Sequence, residues 1–134
     1  MVLATELADW RRVGSARALM VYSALVRREH SRGERQRRGS ITKAGNSHVR
    51  HVLVQAAWSY RFAPKVGGAL KRRQDGQYAR VIAHAWKAQH RAHTVFRRLS
   101  AARPPQVAVV AVARELVGCL WAVMRDVPEP RAVA

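Results

Sequence analysis

Residues 79–125, ARVIAHAWKAQHRAHTVFRRLSAARPPQVAVVAVARELVGCLWAVMR, decide what kind of fold this chain can make. In the first half, Ile82, Ala85, Gln89, Ala92, Phe96 and Leu99 recur at steps of three and four, the spacing of one helical face. They predict a helix from about Tyr78 to Ser100, with Arg80, His84, Lys87, Arg91 and Arg98 gathered on another face. Pro104 and Pro105 break this period, and proline suits the first turn of a following helix. That last helix, about Gln106 to Arg125, offers Val109, Val112, Leu116, Leu120 and Val123 for burial. Trp58, Trp86 and Trp121 fall near apolar positions, where core packing is the expectation and base stacking would need exposure.

Outward from this stretch the helical period continues. A first short helix is expected from about Leu3 to Arg12, ending at Gly14. Ser15 is a candidate N-cap for a second, SARALMVYSALV, with Ala18, Leu19, Tyr22 and Leu25 or Val26 inward. Asn46, after Gly45, reads as the N-cap of a third. Its inner stripe is Val49, Val52, Leu53, Ala56, Ala57 and Tyr60, and Pro64 with Gly67 and Gly68 ends it. KRRQDGQ, residues 71–77, reads as a basic connection into the long helix. No alternating pattern argues for strands. The predicted fold is all-α, about five helices with one long basic loop at about 27–45. It forms one domain over residues 1–127, with a disordered tail at 128–134.

A net charge of +17 on 134 residues points to a polyanionic partner. From Arg27 to Arg50 the chain holds eight Arg or Lys against two Glu. Guanidinium forks grip phosphate bidentately, and the glycines Gly33, Gly39 and Gly45 let backbone N–H groups approach a sugar–phosphate chain. The candidate nucleic-acid contacts are Arg32, Arg35, Arg37, Arg38, Thr42, Lys43, Asn46, His48 and Arg50. Ser31, Ser40 and Ser47 lie in or beside this loop. A serine hydroxyl attacks phosphate only when a base or metal activates it and cations neutralise the target. The loop supplies cations but no evident base, so residue chemistry alone does not choose among the three.

Other chemistries find less support. His48 with His51, and His90 with His93, stand at i, i+3, yet a zinc site needs further ligands. Glu6 and Asp9 are the only close N-terminal acids, and Glu115 is expected to pair with an arginine or to cap packing. Cys119, the sole cysteine, cannot form an internal disulfide and reads as a small buried hydrophobe. The N-terminus lacks the charge-then-apolar order of a signal peptide. The apolar runs at 104–113 and 116–124 are split by Arg114 and Glu115 and read as too short to span a bilayer. A cytoplasmic, soluble protein is expected. A basic amphipathic membrane-surface protein fits less well, because the apolar faces are needed for a mutual core.

GSITKAGNSHVRHVLVQAAWSYR, residues 39–61, then AHAWKAQHRAHTVFRRLSAARPPQVAVVAVARELVGCLWAVM, residues 83–124, resemble a known pattern. It is that of the C-terminal transposase domain of the insertion sequence 110, 116 and 902 family. There a Gly-x-Ile-Thr-Lys-x-Gly-Asn-x-x-x-Arg block opens a helix ending in Ala-Ala or Ala-Ala-Trp. ATELADWRRVGSARALMVYSALV, residues 4–26, resembles the family's segment before its serine. The resemblance covers nearly all of residues 2 to 125.

It implies DNA transposition, a DNA partner, homo-oligomers or complete transposase copies as partners, and in some members a structured guide RNA. It also implies a nucleophilic serine that becomes joined to DNA, and a separate RNase-H-like domain whose acids bind Mg²⁺. No cofactor is expected in this chain itself; Mg²⁺ belongs with that acidic domain. By this reading the chain is a C-terminal fragment, a truncated or inactive copy, with a non-catalytic DNA- or RNA-binding module as the alternative. Ser31 is the candidate nucleophile, matching the less constant first serine of the family's Ser-Ser-Gly. Arg32 stands where the second serine is expected, and a customary Leu-Gly-Leu-Val-Pro run reads Ser23, Ala24, Leu25, Val26, Arg27.

Overall fold

The computed structural model describes residues 5–6, 12–32, 35–41 and 45–127, with side chains over 5–6, 12–26 and 45–127. Thr5 and Glu6 are helical; the rest of the helix expected from Leu3 lies outside the described residues, as does the tail at 128–134, apart from Arg12 in a short 3-10 turn.

Helix α1 (Ala16–Tyr22) starts where the serine predicts it: Ser15 Oγ accepts from the Ala18 N–H at 3.1 Å. It stops a turn earlier than expected. Ser23 turns its hydroxyl back onto the Leu19 carbonyl at 2.7 Å, and Ala24 takes a positive φ of 54°. Serine bonding to its own backbone competes with helix continuation, and a left-handed residue ends it. Leu19 and Leu25 are buried as predicted, while Ala18 and Tyr22 lie exposed.

The helical class holds, but the expected basic loop has more structure than a loop. Residues 27–41 form an antiparallel ribbon of β1 (Arg27–Arg32) and β2 (Arg35–Ile41). Its register pairs Arg32 with Arg35, Ser31 with Gln36, His30 with Arg37 and Glu29 with Arg38. A bulge follows, after which Arg27 faces Ile41. Neither RREHSR nor RQRRGSI alternates apolar with polar residues, so the period that betrays most strands is missing from the sequence. Backbone pairing and the anchoring of the ribbon's ends make it.

Helix α2 (Ser47–Trp58) is capped by Asn46, whose Oδ1 accepts from His48 N at 3.0 Å and Val49 N at 3.1 Å. It buries Val49, Leu53 and Ala57 and passes into a 3-10 turn at Ser59–Arg61, ahead of the predicted Pro64 stop. Ala56, expected inward, is exposed. Residues read as a connection instead form α3 (Gly68–Gln74), a short helix with Lys71, Arg72 and Arg73 in its last turn. The long pair follows as α4 (Ala79–Ser100) and α5 (Pro105–Asp126).

Helix α5 is the centre. It packs against α4, α2 and α1, burying Ala108, Val109, Val112, Ala113, Leu116 and Val117. Against these stand Ala92 and Phe96 from α4, Val49, Leu53 and Ala57 from α2, and Leu19 from α1. Leu120 packs at the edge, and Val123 is only partly covered. Trp58 meets Phe96 with ring centroids 6.5 Å apart, and Trp121 Nε1 donates to the Val13 carbonyl at 3.2 Å. Those two tryptophans pack as expected. Trp86 does not: it is 39% exposed. Contrary to the expectation of runs too short for a bilayer, α5 as one helix is long and apolar enough to cross one, with an 18-residue stretch at a mean hydropathy of 2.0. Its place between three helices, with Glu115 paired to Arg91, makes it the core helix here.

Candidate nucleic-acid interface

The ribbon leaves the helical body and returns to it at one point, and that point is tightly built. Gly45 has φ 143°, and a Cβ there would lie 2.7 Å from the Tyr22 carbonyl oxygen and 3.0 Å from the Ala24 nitrogen. Only glycine lets the two chain segments approach this closely. One residue on, Asn46 N donates to Tyr22 O at 2.8 Å, closing the ribbon's foot onto the end of α1.

The Asn46 side chain then ties in Glu6. Nδ2 donates to Glu6 Oε2 at 2.8 Å and to the Tyr22 hydroxyl at 3.1 Å, while that hydroxyl donates to the Glu6 carbonyl at 3.2 Å. Glu6 Oε1 meets His48 Nδ1 at 3.1 Å. With both N–H groups and the oxygen of its amide engaged, Asn46 acts here as the joint between helix, ribbon and N-terminal segment. The bond from Asn46, then that from His48, hold the Glu6 carboxyl below its usual range. Sequence reasoning missed Glu6 and Tyr22 as partners, because Glu6 lies 40 residues from Asn46 and no local pattern links them.

The sign of this shift gives a prediction. A depressed folded-state value contributes stability above the unfolded carboxyl value of about 4.3, and loses it as pH falls through the folded value. Thermal melts from pH 6 down to pH 3 are expected to fall more steeply for the wild type than for Glu6→Gln. Parallel curves would show that the carboxylate is not coupled to folding.

The predicted contact residues distribute around this foot. Ser31 and Arg32 lie in β1, and Arg35, Arg37 and Arg38 in β2. Thr42 and Lys43 lie outside the described residues. His48 is in the first turn of α2 with Arg50 two residues on, and His48 is exposed. His51 is exposed too, while His93 Nδ1 stands 2.9 Å from the Tyr60 carbonyl and the His90 ring meets Trp86. Among the described residues, no three of His, Cys, Asp and Glu gather. Glu6 is engaged by Asn46 and His48, and Glu115 accepts from Arg91 Nε at 2.6 Å, as expected of it. Cys119 is half-buried, and burial raises its thiol above the ordinary value, which suits packing rather than attack.

A second basic surface lies on α4, where Arg80, Lys87, Arg91, Arg97 and Arg98 are all exposed. No Asp or Glu occurs between Ala79 and Ser100.

Residues 1–72 match the family model described as "Transposase IS116/IS110/IS902 family". The chain is 45% identical over 127 residues to "Putative transposase y4qE" of Sinorhizobium fredii, an alignment covering 94% of this chain and 33% of that protein. It is 30% identical over 104 residues to "Transposase for insertion sequence element IS1533" of Leptospira borgpetersenii, covering 77% of this chain and 30% of the relative. The chain thus spans about a third of the length of these curated relatives. No solved structure matches it significantly. With a family match running from the N-terminus through the ribbon and α2, this chain belongs to the IS116/IS110/IS902 family of transposases.

Proposed function

We propose that this chain is a DNA-gripping part of a transposase, acting in the cytoplasm, with the β1–β2 ribbon as its main contact. One observation carries the reading: the ribbon's register sets Arg32 directly against Arg35, with Arg37 and Arg38 next along β2. Like charges directly opposite each other across a strand pair are destabilising in water. Phosphates laid along the ribbon reverse that sign, and a two-stranded ribbon is narrow enough for the major groove. Arg50 and His48 at the start of α2 extend the contact past the ribbon's foot, which Asn46 holds in place.

In this reading Ser31, in β1 opposite Gln36, is the hydroxyl presented to a scissile phosphate among these cations. The metal-binding carboxylates of strand cleavage, with their Mg²⁺, come from elsewhere in the transposase. Further transposase copies and structured RNA are the other partners the reading allows. A non-catalytic binding module is the second reading for this chain alone.

The test is the salt dependence of binding to a fluorescein-labelled duplex, read by anisotropy. Wild-type affinity is expected to fall at least about a hundredfold between 50 and 200 mM salt, as for a protein neutralising several phosphates. Removing charge with Arg35→Gln, Arg37→Gln and Arg38→Gln together is expected to reduce the log–log slope by about 3, from roughly 0.9 per lost contact. Ser31→Ala removes no charge and is expected to keep the wild-type slope. Salt-independent binding, or an unchanged slope in the triple variant, overturns the ribbon as the contact.

A further inference from the structure

We infer that the exposed face of α4 is a platform for an unpaired DNA strand, with Trp86 stacking on a base. This rests on the DNA-binding reading above but concerns a different surface. At 3.6 residues per turn, Trp86, Arg97, His90, Lys87, Arg80, Arg98 and Arg91 fall within about 140° of the helix circumference. All are exposed, and the buried Ala92 and Phe96 lie on the opposite side.

Indole is costly to leave in water, so an exposed tryptophan inside a cationic stripe calls for a partner with both an apolar face and negative charge. Trp86 is held by an edge-on contact with His90, ring centroids 4.5 Å apart and planes at 81°, which leaves indole surface open to solvent. Further exposed aromatics accompany it. Tyr78, 57% exposed, stands at the N-cap of α4. Phe62, 63% exposed with the Arg61 guanidinium 4.6 Å over its ring, follows the 3-10 turn that packs on α4.

Aromatic faces set among Arg and Lys match a single strand, whose bases have open faces and whose phosphates meet the cations. A duplex offers no such base, because its faces are already stacked on each other. At the far end of the stripe, about 18 Å from Trp86 along the helix, a cleft of about 410 Å³ opens between α1, α4 and α5. Arg91, Arg98 and Arg114 line it beside Met20, Val95 and Leu99, with Glu115 holding Arg91, so Arg98 extends the cationic track to a partly apolar floor. The ribbon therefore takes duplex, and α4 takes the strand that is unpaired when DNA is opened for exchange.

The test compares Trp86→Ala, Trp86→Phe and wild type on three labelled DNA probes of equal length: a single strand, the same strand with its bases removed, and a duplex. Circular dichroism melts of each variant check that the fold is retained. Trp86→Ala is expected to weaken single-strand binding about tenfold. It is expected to leave duplex and abasic binding within about twofold, while Trp86→Phe keeps most of the single-strand affinity. Equal losses on all three probes, or no loss on the single strand, overturn the platform. So does a Trp86-dependent preference for an RNA strand of the same sequence over the DNA strand. Wild-type protein that binds the duplex with salt sensitivity but ignores the single strand overturns this inference alone. Failure to bind any probe overturns both readings.

Discussion

Gly45→Ala is expected to lower the melting temperature by about 10 °C and to weaken duplex binding, although glycine to alanine adds a single methyl group. At φ 143° an L side chain is strained, and the new Cβ would sit 2.7 Å from the Tyr22 carbonyl oxygen. The oxygen belongs to backbone at the end of α1 and has no flexible end to move aside. The strain costs about 1–3 kcal/mol. Displacing the chain also loses the Asn46 N–H to Tyr22 O bond, about 1 kcal/mol. With an unfolding entropy of about 2.1 cal/mol/K per residue, 134 residues convert each kcal/mol to about 3.5 °C.

The functional loss follows from position. The Gly45–Asn46 step fixes where the ribbon meets the helical body, so moving it also moves Asn46 away from Glu6 and the start of α2. Gly118→Ala is the matched control: it lies inside α5, and a Cβ there meets nothing within 4 Å. It is expected to be neutral, or to stabilise by up to about 1 kcal/mol through helix propensity. If Gly45→Ala melts like Gly118→Ala, the close approach at the ribbon's foot is not a constraint on folding.

Phe96→Ala is expected to have a larger effect on stability, with a loss of about 3–5 kcal/mol, or roughly 10–18 °C in melting temperature. Phe96 is 8% exposed and is the large side chain that α4 contributes to the core around α5. Its ring meets Trp58 of α2, so truncation opens a cavity where three helices meet. A domain of this size holds about 5–15 kcal/mol in total, so the variant stands near the edge of folding. Val107→Ala, at a residue 45% exposed in the first turn of α5, is expected to change stability by under about 0.5 kcal/mol. Chemical denaturation of the three proteins gives both numbers. Equal midpoints for Phe96→Ala and wild type would remove the α4–α5 seam as the main source of stability.

Much of the helical scaffold was legible because its signals are local. Ser15 and Asn46 each announce a helix by competing for its first free N–H groups, and both caps form. The steps of three and four in residues 79–125 locate two long helices and their buried stripes, with Phe96, Val109, Val112 and Leu116 among them. Where the pattern was read too far, a local competitor intervened. Ser23 bonds back to Leu19 and Ala24 turns left-handed, so α1 ends before the positions expected to continue it. Gly67 and Gly68 suggested a break, yet Gly68 opens a short helix, since an N-terminal glycine costs a helix little.

Composition, caps and helical period thus determined an all-α, strongly basic domain and the family resemblance carried by Gly39 to Arg50. These properties depend on residues within a few positions of one another. Tertiary structure decided the rest. It made a ribbon of RREHSR and RQRRGSI, which show no strand period, because Gly45 and Asn46 close the segment onto the end of α1. It joined Glu6 to Asn46 and His48 across 40 and 42 residues. It also left Trp86 on the solvent side of α4 when Trp58 and Trp121 went to the core. Periodicity says which residues share a face; only the packing of α4 against α5 says where that face ends and the exposed indole begins.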